Sequence, residues 1–210
     1  MAKSKGIKNL DTSTEEKIKE AARIVFYKKG YAATRTRDIA EEAGINLALL
    51  NYYFRSKEKL FNIIMIETVS GFIQNITIVL NNETTTLEKK VELIASSYID
   101  LIIKEPEVPT FIVTEIRSNP HMLMEKIPVK NLVTNSVFFK QHRNAVEGGK
   151  VKEPNPYQFL MNLMGLIVFP FITKPLLMGI SGMSTEVFNE MMQERKKLIP
   201  VWIKAIMKAK

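Results

Sequence analysis

The stretch Thr36–Lys57, TRDIAEEAGINLALLNYYFRSK, decides the fold of this chain. It predicts two short helices, the first over residues 36–42 and the second from Leu47 to about residue 54. Gly44 lies between them, where glycine tolerates the positive φ that a tight turn requires. Asn46 precedes the second helix, where its side-chain oxygen can accept a free backbone N–H. The stretch therefore predicts two helices joined by a tight turn.

The apolar positions of this stretch suit a helix-turn-helix. The small Ala40 allows the two helices to cross closely, and Leu50 is placed to hold the second helix against the first. Any helical hairpin can show this spacing, so the spacing alone leaves that alternative open. The outer face of the second helix suits the major groove of DNA because it carries few acidic groups. We predict that this face and its neighbours comprise Leu47, Ala48, Asn51, Tyr52, Tyr53 and Lys57.

The flanks of the stretch add a dense pattern of helix, turn and core residues. The pattern resembles the N-terminal signature of tetracycline-repressor-type (TetR family) regulators and covers roughly residues 13–61. It comprises Ile18, Ala21, Ala22, Phe26, Gly30, Thr34, Ile39, Ala40, Ala43, Gly44, Tyr53, Phe54, Ser56, Lys57 and Leu60. The resemblance implies an all-α homodimer that binds a palindromic DNA operator as a repressor and leaves it when a small molecule binds.

The resemblance also implies contact roles for single residues. The family's matching arginine suggests that Arg37 reaches a guanine in the groove, and a contact to backbone phosphate alone remains the alternative. Thr36 and Lys57 each lie at a helix start, where free N–H groups favour a phosphate. Asn51 stands where many members carry tyrosine, in a version similar to a subtype with an Asn-Tyr-His-Phe stretch. It can bond adenine or a phosphate-side partner.

Charge and composition agree with a nucleic-acid partner without requiring one. The chain has 210 residues, a formal net charge of +8 and no cysteine. Residues 1–57 hold 12 Lys/Arg and 7 Asp/Glu, so about a quarter of the chain carries most of the excess charge. A solubilising surface would give the same asymmetry. The lack of cysteine excludes disulfides, zinc-thiolate sites and thiol catalysis.

Helical periodicity continues to the end of the chain, with no strand pattern of any length. We predict a helix-turn-helix DNA-binding domain over residues 1–56, whose first 12 residues form a mobile arm, and a helical regulatory domain over residues 57–210. A first helix is expected from Thr14, with Ser13 and Glu16 at capping-box spacing. The N-terminus has no apolar run, so we expect no signal peptide and a cytoplasmic protein.

Apolar residues in the middle of the chain could line a small-molecule pocket or fill an ordinary core. We predict a hydrophobic effector, with Glu115 as a candidate polar contact. An exposed or Arg117-associated carboxylate is the alternative for Glu115. The predicted lining residues are Phe72, Ile76, Phe111, Glu115, Met122 and Phe138.

The segment 158–180 is apolar enough to consider as a membrane span, but polar residues and two prolines within it favour a helix buried between two subunits. With the helix from Glu186, it predicts a homodimer interface. The predicted interface residues are Leu163, Leu166, Ile167, Phe171, Met191, Leu198 and Trp202.

The sequence contains no Gly-rich phosphate loop and no nucleophile elbow, and its two histidines stand alone. We therefore predict no catalytic residues, no metal site and no cofactor. The predicted partners are double-stranded operator DNA, a second copy of the chain and a small-molecule effector, with no membrane. The alternative is a helical binding or scaffold protein that has a basic end and no sequence-specific role on DNA.

Overall fold

The computed structural model describes residues 3–118, 120–127 and 134–208, with side chains described from residue 12 onward except those of 122–124. Within these ranges the chain forms helices and loops and no strand, which confirms the predicted all-α fold. The helices are α1 (Lys3–Ala33), α2 (Thr36–Glu42), α3 (Leu47–Tyr53), α4 (Lys57–Asn81), α5 (Leu87–Lys104), α6 (Val108–Ser118), α7 (Pro120–Lys126), α8 (Val137–Glu147), α9 (Pro156–Ile172), α10 (Lys174–Ser181) and α11 (Thr185–Lys208).

Contacts divide the chain into two compact units. The first unit contains the chain up to Ser70 together with Phe111–Leu123, and the second contains Gly71–Thr110 together with the chain from Met124 onward. Helix α4 contributes residues to both units. The division into functional domains after residue 56 stays a prediction.

Helix α1 begins at Lys3, so the predicted start at Thr14 is wrong, as is the arm predicted before it. Ser13 consequently lies inside the helix and cannot cap it. Residues 3–13 contain no proline, so the chain has no residue there that would stop a helix. The side chains of Lys3, Lys5 and Lys8 lie outside the described residues. The helix breaks at Gly30, whose φ of 71° only glycine adopts readily.

Aromatic side chains form the centre of the first unit. The ring of Phe61 lies edge-on to Phe26, with centroids 4.9 Å apart, and close to Phe111 at 5.8 Å. Phe111 also contacts Tyr27 at 4.9 Å. Such tilted and edge-on pairs stabilise a core beyond the area they bury. The cluster joins α1, the start of α4 and α6 into one core.

The second unit is built around α5, whose buried face repeats at helical period and packs against α9 and α11. Tyr98 on this face donates its hydroxyl to the carbonyl of Phe72, and the two rings are perpendicular with centroids 4.4 Å apart. Burial raises the pKa of Tyr98 well above its usual range. Lys90 is buried as well, and its ammonium donates to the carbonyls of Asn82 and Thr85, which holds the loop before α5.

The apolar segment near the C-terminus forms two helices rather than one. Helices α9 and α10 meet at Thr173 with a bend of 61°. Among the described residues, helix α4 is by itself long and apolar enough to cross a membrane by length and composition. Length and composition do not distinguish a span from the core helix of a soluble protein.

Candidate nucleic-acid interface

The turn between α2 and α3 is a Schellman motif. The N–H of Ile45 donates to the carbonyl of Ala40 at 3.0 Å, and the N–H of Gly44 donates to the carbonyl of Glu41 at 3.0 Å. The motif needs a left-handed residue directly after the helix cap, and Gly44 has φ 61°. A Cβ at Gly44 would meet nothing closer than 3.8 Å, so the backbone angle and not the available space requires glycine. The predicted turn is confirmed.

Asn46 caps α3 as predicted. Its Oδ1 accepts the backbone N–H of Leu49 at 2.8 Å, which satisfies one of the free donors at the start of the helix. Leu50 is fully buried in the first unit and holds α3 in place, together with Ala40 from α2. Because Oδ1 is engaged, Asn46 retains only its amide N–H₂ as a group for a further partner.

The outward side of α3 is exposed and carries no carboxylate. Ala48 and Asn51 are exposed, and Tyr52 is 75% exposed with its ring perpendicular to that of Tyr53 at 5.4 Å. Leu47 is exposed at the helix start. This arrangement places a polar and aromatic helix face in solvent, where no negative side chain of α3 repels a phosphate backbone.

At the start of α2, the acidic Asp38 is held by its own chain. Its carboxylate accepts the backbone N–H of Arg35 at 3.0 Å and pairs with the Lys29 ammonium at 3.0 Å. The backbone N–H of Arg35, and next the Lys29 hydrogen bond, lower the pKa of Asp38 below its usual value. Arg37 is exposed and has no ion pair with any described residue, and Thr36 is half-buried. This pairing at Asp38 was not predicted from the sequence.

Lys57 performs a structural task that the sequence did not predict. Its ammonium donates to the carbonyls of Tyr31 and Thr34, both at 2.9 Å, and lies 4.2 Å from the centroid of the Tyr31 ring. Two of its three N–H donors are therefore used inside the protein, where they fasten the segment after Gly30 to the start of α4. One donor remains for the phosphate contact that we predicted.

Two adjacent aromatic residues at the end of α3 differ in burial. Phe54 is buried and Tyr53 is half-buried. The structure brings the predicted contact residues to one helix-turn-helix and its flanks: Thr36, Arg37, Asn46, Leu47, Ala48, Asn51, Tyr52, Tyr53 and Lys57. All of them except Thr36, Tyr53 and Lys57 are exposed.

The predicted ligand residues do not form one group. Phe111 and Glu115 belong to the first unit, whereas Phe72, Ile76 and Phe138 belong to the second. Phe138 is fully buried against Phe159 and His142, so it fills core. The side chain of Met122 lies outside the described residues.

Glu115 lines a cavity of about 550 Å³ in the first unit and is only 6% exposed, so the exposed alternative for it is wrong. Tyr31 and Phe61 supply aromatic surface to the cavity, and Asn62, Thr114 and Ser118 supply polar atoms. Tyr31, Phe61 and Asn62 were not among the predicted ligand residues, since nothing in the sequence places the segment after Gly30 beside α6. The volume and mixed lining match a small-molecule site.

The predicted interface residues separate by burial. Leu163, Ile167 and Phe171 lie in the core of the second unit, Leu163 with no exposed surface, so the prediction that they contact a partner is wrong. Leu166 and Trp202 are half-buried, while Met191 and Leu198 are exposed. The reason is the helical period of α9, which turns every third or fourth apolar residue toward its own core.

Part of the exposed apolar surface of α9 and α11 lies at positions that were not predicted from the sequence. Phe169 is 63% exposed on α9, and Met161 and Val187 are also exposed. Arg195 joins the two helices, because its Nη2 donates to the carbonyl of Leu166 at 2.7 Å while the guanidinium lies 4.9 Å from the Trp202 ring. We call the exposed residues Met161, Phe169, Val187, Met191 and Leu198 the α9–α11 face.

Within the described ranges, no group of three or more acidic or histidine side chains is placed to hold a metal ion.

Comparison with known proteins assigns the helix-turn-helix. Residues 18–64 match the model of the family described as bacterial regulatory proteins, tetR family. A probable HTH-type transcriptional regulator of Bacillus subtilis, YttP, is 25% identical over 94% of this chain and 95% of its own. The HTH-type transcriptional repressor KstR2 of Mycolicibacterium smegmatis is 29% identical over 41% of this chain and 42% of its own.

Among solved structures, the fold is similar to that of the transcriptional regulator FadR from Bacillus subtilis in complex with stearoyl-CoA. The two share 20% identity over 88% of this chain and 96% of the other, with a TM-score of 0.60. At this identity the likeness shows the fold, an N-terminal helix-turn-helix followed by a helical C-terminal region.

Proposed function

We propose, from the premise that this chain is a TetR-family transcriptional regulator, that it acts as a homodimeric repressor on a palindromic operator and is released by a small molecule. We further propose a cytoplasmic location, as expected of a protein that works on bacterial DNA. Membership of the family is the established part. The assembly, the operator and the release are the proposed parts.

One observation carries the DNA-binding role: the open, carboxylate-free outer side of α3, held by the Asn46 cap and the Schellman turn. A recognition helix must present side chains to base edges while its neighbours contact phosphates. Asn51 can pair with adenine, and the unpaired Arg37 guanidinium can pair with guanine. The ion pair between Asp38 and Lys29 offsets a negative charge that would oppose approach to the backbone.

The dimer is supported by the α9–α11 face. A soluble chain rarely leaves side chains such as Phe169 and Leu198 exposed on two adjacent helices without a partner surface. A second copy would bury the same face on both chains, as two-fold symmetry requires. Two-fold symmetry would in turn place two copies of α3 on successive faces of the duplex, roughly 34–36 Å apart or a multiple of that distance.

The release by a small molecule is supported by a structural neighbour and by a cavity. FadR of Bacillus subtilis was solved with stearoyl-CoA. In this chain the 550 Å³ cavity beside Glu115 lies within the first unit, against the segment that precedes α2. A ligand that favours one conformation of that segment can change DNA affinity only by its differential affinity for the two states. We propose an effector with apolar and aromatic surface and one or two polar groups.

Selection of bound duplexes from a random pool by the purified protein tests the proposal. We expect enrichment of a two-fold palindrome whose half-sites are one helical turn, or a multiple of it, apart. A control selection with Asn51→Asp, which adds a negative charge to the exposed side of α3, should lose that enrichment. If the wild type enriches no common sequence, the repressor role is wrong and the helical binding or scaffold protein becomes the better account.

A further inference from the structure

Two adjoining cavities lie in the second unit, lined by residues at the start of α5, near the end of α11 and in the segment that follows α8. The first, of about 460 Å³, is lined by Lys150, Lys152, Lys204 and Lys208 together with Glu88, Gly149 and Met207. The second, of about 230 Å³, is mainly apolar and is lined by Val91, Pro200, Val201 and Ile203 together with Glu88, Glu92, Lys204 and Met207. The two cavities adjoin, because they share Glu88, Lys204 and Met207, and we call them together the groove.

The backbone fixes the lysines around this groove. The N–H of Lys152 donates to the carbonyl of Met207 at 2.8 Å, which attaches the segment after α8 to the end of α11. Val151 is buried between Lys150 and Lys152 and anchors the segment. The turn that leads into it depends on Gly149, whose φ of 70° is left-handed. The lysines are therefore brought together by the fold and do not merely share a stretch of sequence.

The positive charge here is not neutralised by the protein. None of the four lysines forms an ion pair with a described residue, whereas Lys89 and Lys196 nearby each pair with a carboxylate. Among the described residues, four lysines and one carboxylate, Glu88, line the larger cavity, and Glu92 adds a second carboxylate in the smaller one. Like charges held together repel one another, and a multiply charged anion relieves that repulsion on binding.

The groove is distinct from the α9–α11 face. Lys204 lies six residues after Leu198 on α11, which places it about 120° around the helix at 3.6 residues per turn. Lys204 and Pro200 turn toward α5, as the cavity shared with Val91 shows, whereas Arg195 and Trp202 turn toward α9. The two surfaces share no residue, and Val201 of the groove lies three residues after Leu198 of the α9–α11 face.

We propose that this groove binds a soluble amphiphile that has a phosphorylated or otherwise multiply anionic head and a short apolar portion. The head lies among the four lysines and the apolar portion lies against Val91, Pro200 and Val201. A recessed cavity can enclose both the head and the apolar portion of one molecule, which favours a free molecule over the flat surface of a membrane. The proposal is independent of the repressor role, since no residue of the helix-turn-helix takes part.

Calorimetric titration of the full chain with octyl phosphate, below the concentration at which it forms micelles, tests the site. We expect saturable binding that weakens as salt is added, and much weaker binding of inorganic phosphate and of octyltrimethylammonium. Lys204→Glu should weaken binding about tenfold or more by reversing one charge at the head. Glu88→Gln should strengthen it.

Lys197→Glu is the matched control, because Lys197 is exposed on the same helix and lines neither cavity. The affinity of Lys197→Glu for octyl phosphate should remain within about twofold of the wild-type affinity. Circular dichroism identifies any variant that fails to fold. If Lys204→Glu fails to fold, Glu88→Gln tests the site instead, through the tighter binding that is expected of it. Several outcomes would overturn the proposal: equal loss in the two lysine variants, equal binding of octyltrimethylammonium, inorganic phosphate binding as tightly as octyl phosphate, or binding to phosphatidylglycerol vesicles without binding to free octyl phosphate.

Discussion

At the scale of single residues, the Lys57 side chain stabilises the fold in addition to the phosphate contact proposed for it. Its two hydrogen bonds to Tyr31 and Thr34 fix the segment between α1 and α2. The Thr34 hydroxyl adds a bond to the Gly30 carbonyl at 2.7 Å in the same segment. The position of α2 and its Arg37 therefore depends on a lysine that belongs to α4.

We expect Lys57→Met to lower the free energy of unfolding by about 1–3 kcal/mol, because the carbonyls of Tyr31 and Thr34 lose a charged donor. In a chain of this length each kcal/mol corresponds to a fall of about 2–4 °C in the melting temperature. Lys59→Met, at an exposed neighbouring position, should leave the melting temperature unchanged. If both variants melt with the wild type, Lys57 does not fasten this segment, and its role reduces to the phosphate contact.

His142 gives the fold a dependence on pH. Burial lowers the pKa of His142 below its usual value, more than the Glu153 carboxylate and backbone raise it. Its Nε2 has no hydrogen-bond partner, and its ring stacks on Phe138. At acidic pH the unfolded chain therefore binds a proton at His142 more readily than the folded chain does. The stabilisation by neutral His142 is complete above about pH 6.5 and is lost as the pH falls below that value.

We therefore expect the melting temperature of the wild type to fall more steeply between pH 7.5 and pH 5 than that of His142→Gln. One proton accounts for a difference of at most about 1.4 kcal/mol per pH unit. Carboxylates elsewhere titrate in both proteins and cancel in the comparison. His121→Gln changes an exposed histidine and should follow the wild type. Parallel curves for all three proteins would mean that His142 does not titrate differently on folding.

At the scale of elements, α3 is the helix that the sequence predicted most closely. Its cap, its preceding turn and its buried Leu50 are determined by neighbours within ten residues, so local chemistry was sufficient. The start of α1 was not predicted, because a capping-box spacing at Ser13 has no effect when the preceding residues are also helical. Capping motifs indicate where a helix can begin, not where it does begin.

Two substitutions at Asn46 separate the stability of α3 from its contact with DNA. Asn46→Ala removes the acceptor for the Leu49 N–H and should cost about 1 kcal/mol of stability. Asn46→Asp keeps the acceptor but places a negative charge at the exposed start of the helix. We expect Asn46→Asp to melt close to the wild type and to bind DNA more weakly.

Thermal melts and fluorescence anisotropy with a labelled duplex measure the two effects on the same samples. DNA affinity that is unchanged in Asn46→Asp would place the start of α3 away from the DNA. A large loss of stability in Asn46→Asp would show that the cap depends on the amide and not on Oδ1.

At the scale of the whole molecule, the apolar segment 158–180 predicted an interface, but Leu163, Ile167 and Phe171 of that segment fill the core of their own unit. A run that is apolar on every side does not reveal which side faces its own core, and only the packing of α9 on α5 decides this. The same limit applies to Phe138, which fills the core although its aromatic side chain would also suit the lining of a pocket. Side-chain directions within uniformly apolar helices depend on contacts distant in sequence.

Phe169→Asp tests the dimer through an exposed residue of the α9–α11 face. We expect light scattering at micromolar concentration to give a dimer for the wild type and a folded monomer for Phe169→Asp, because two carboxylates would be brought into a symmetric apolar interface. Ile78→Asp makes the same change at an equally exposed residue of α4 and should stay dimeric. A wild-type monomer, or a dimer of Phe169→Asp, contradicts the assignment of this face.

The central claim is that the chain reads a specific DNA sequence through α2 and α3. The most direct test is an anisotropy titration of the selected palindrome and of a shuffled duplex of equal composition, at the same salt concentration, with the wild type and with Arg37→Ala. We predict that the wild type binds the palindrome at least about 10³-fold more tightly than the shuffled duplex. Arg37→Ala should lose about 1–3 kcal/mol on the palindrome and little on the shuffled duplex. Equal affinity of the wild type for the two duplexes would contradict the account.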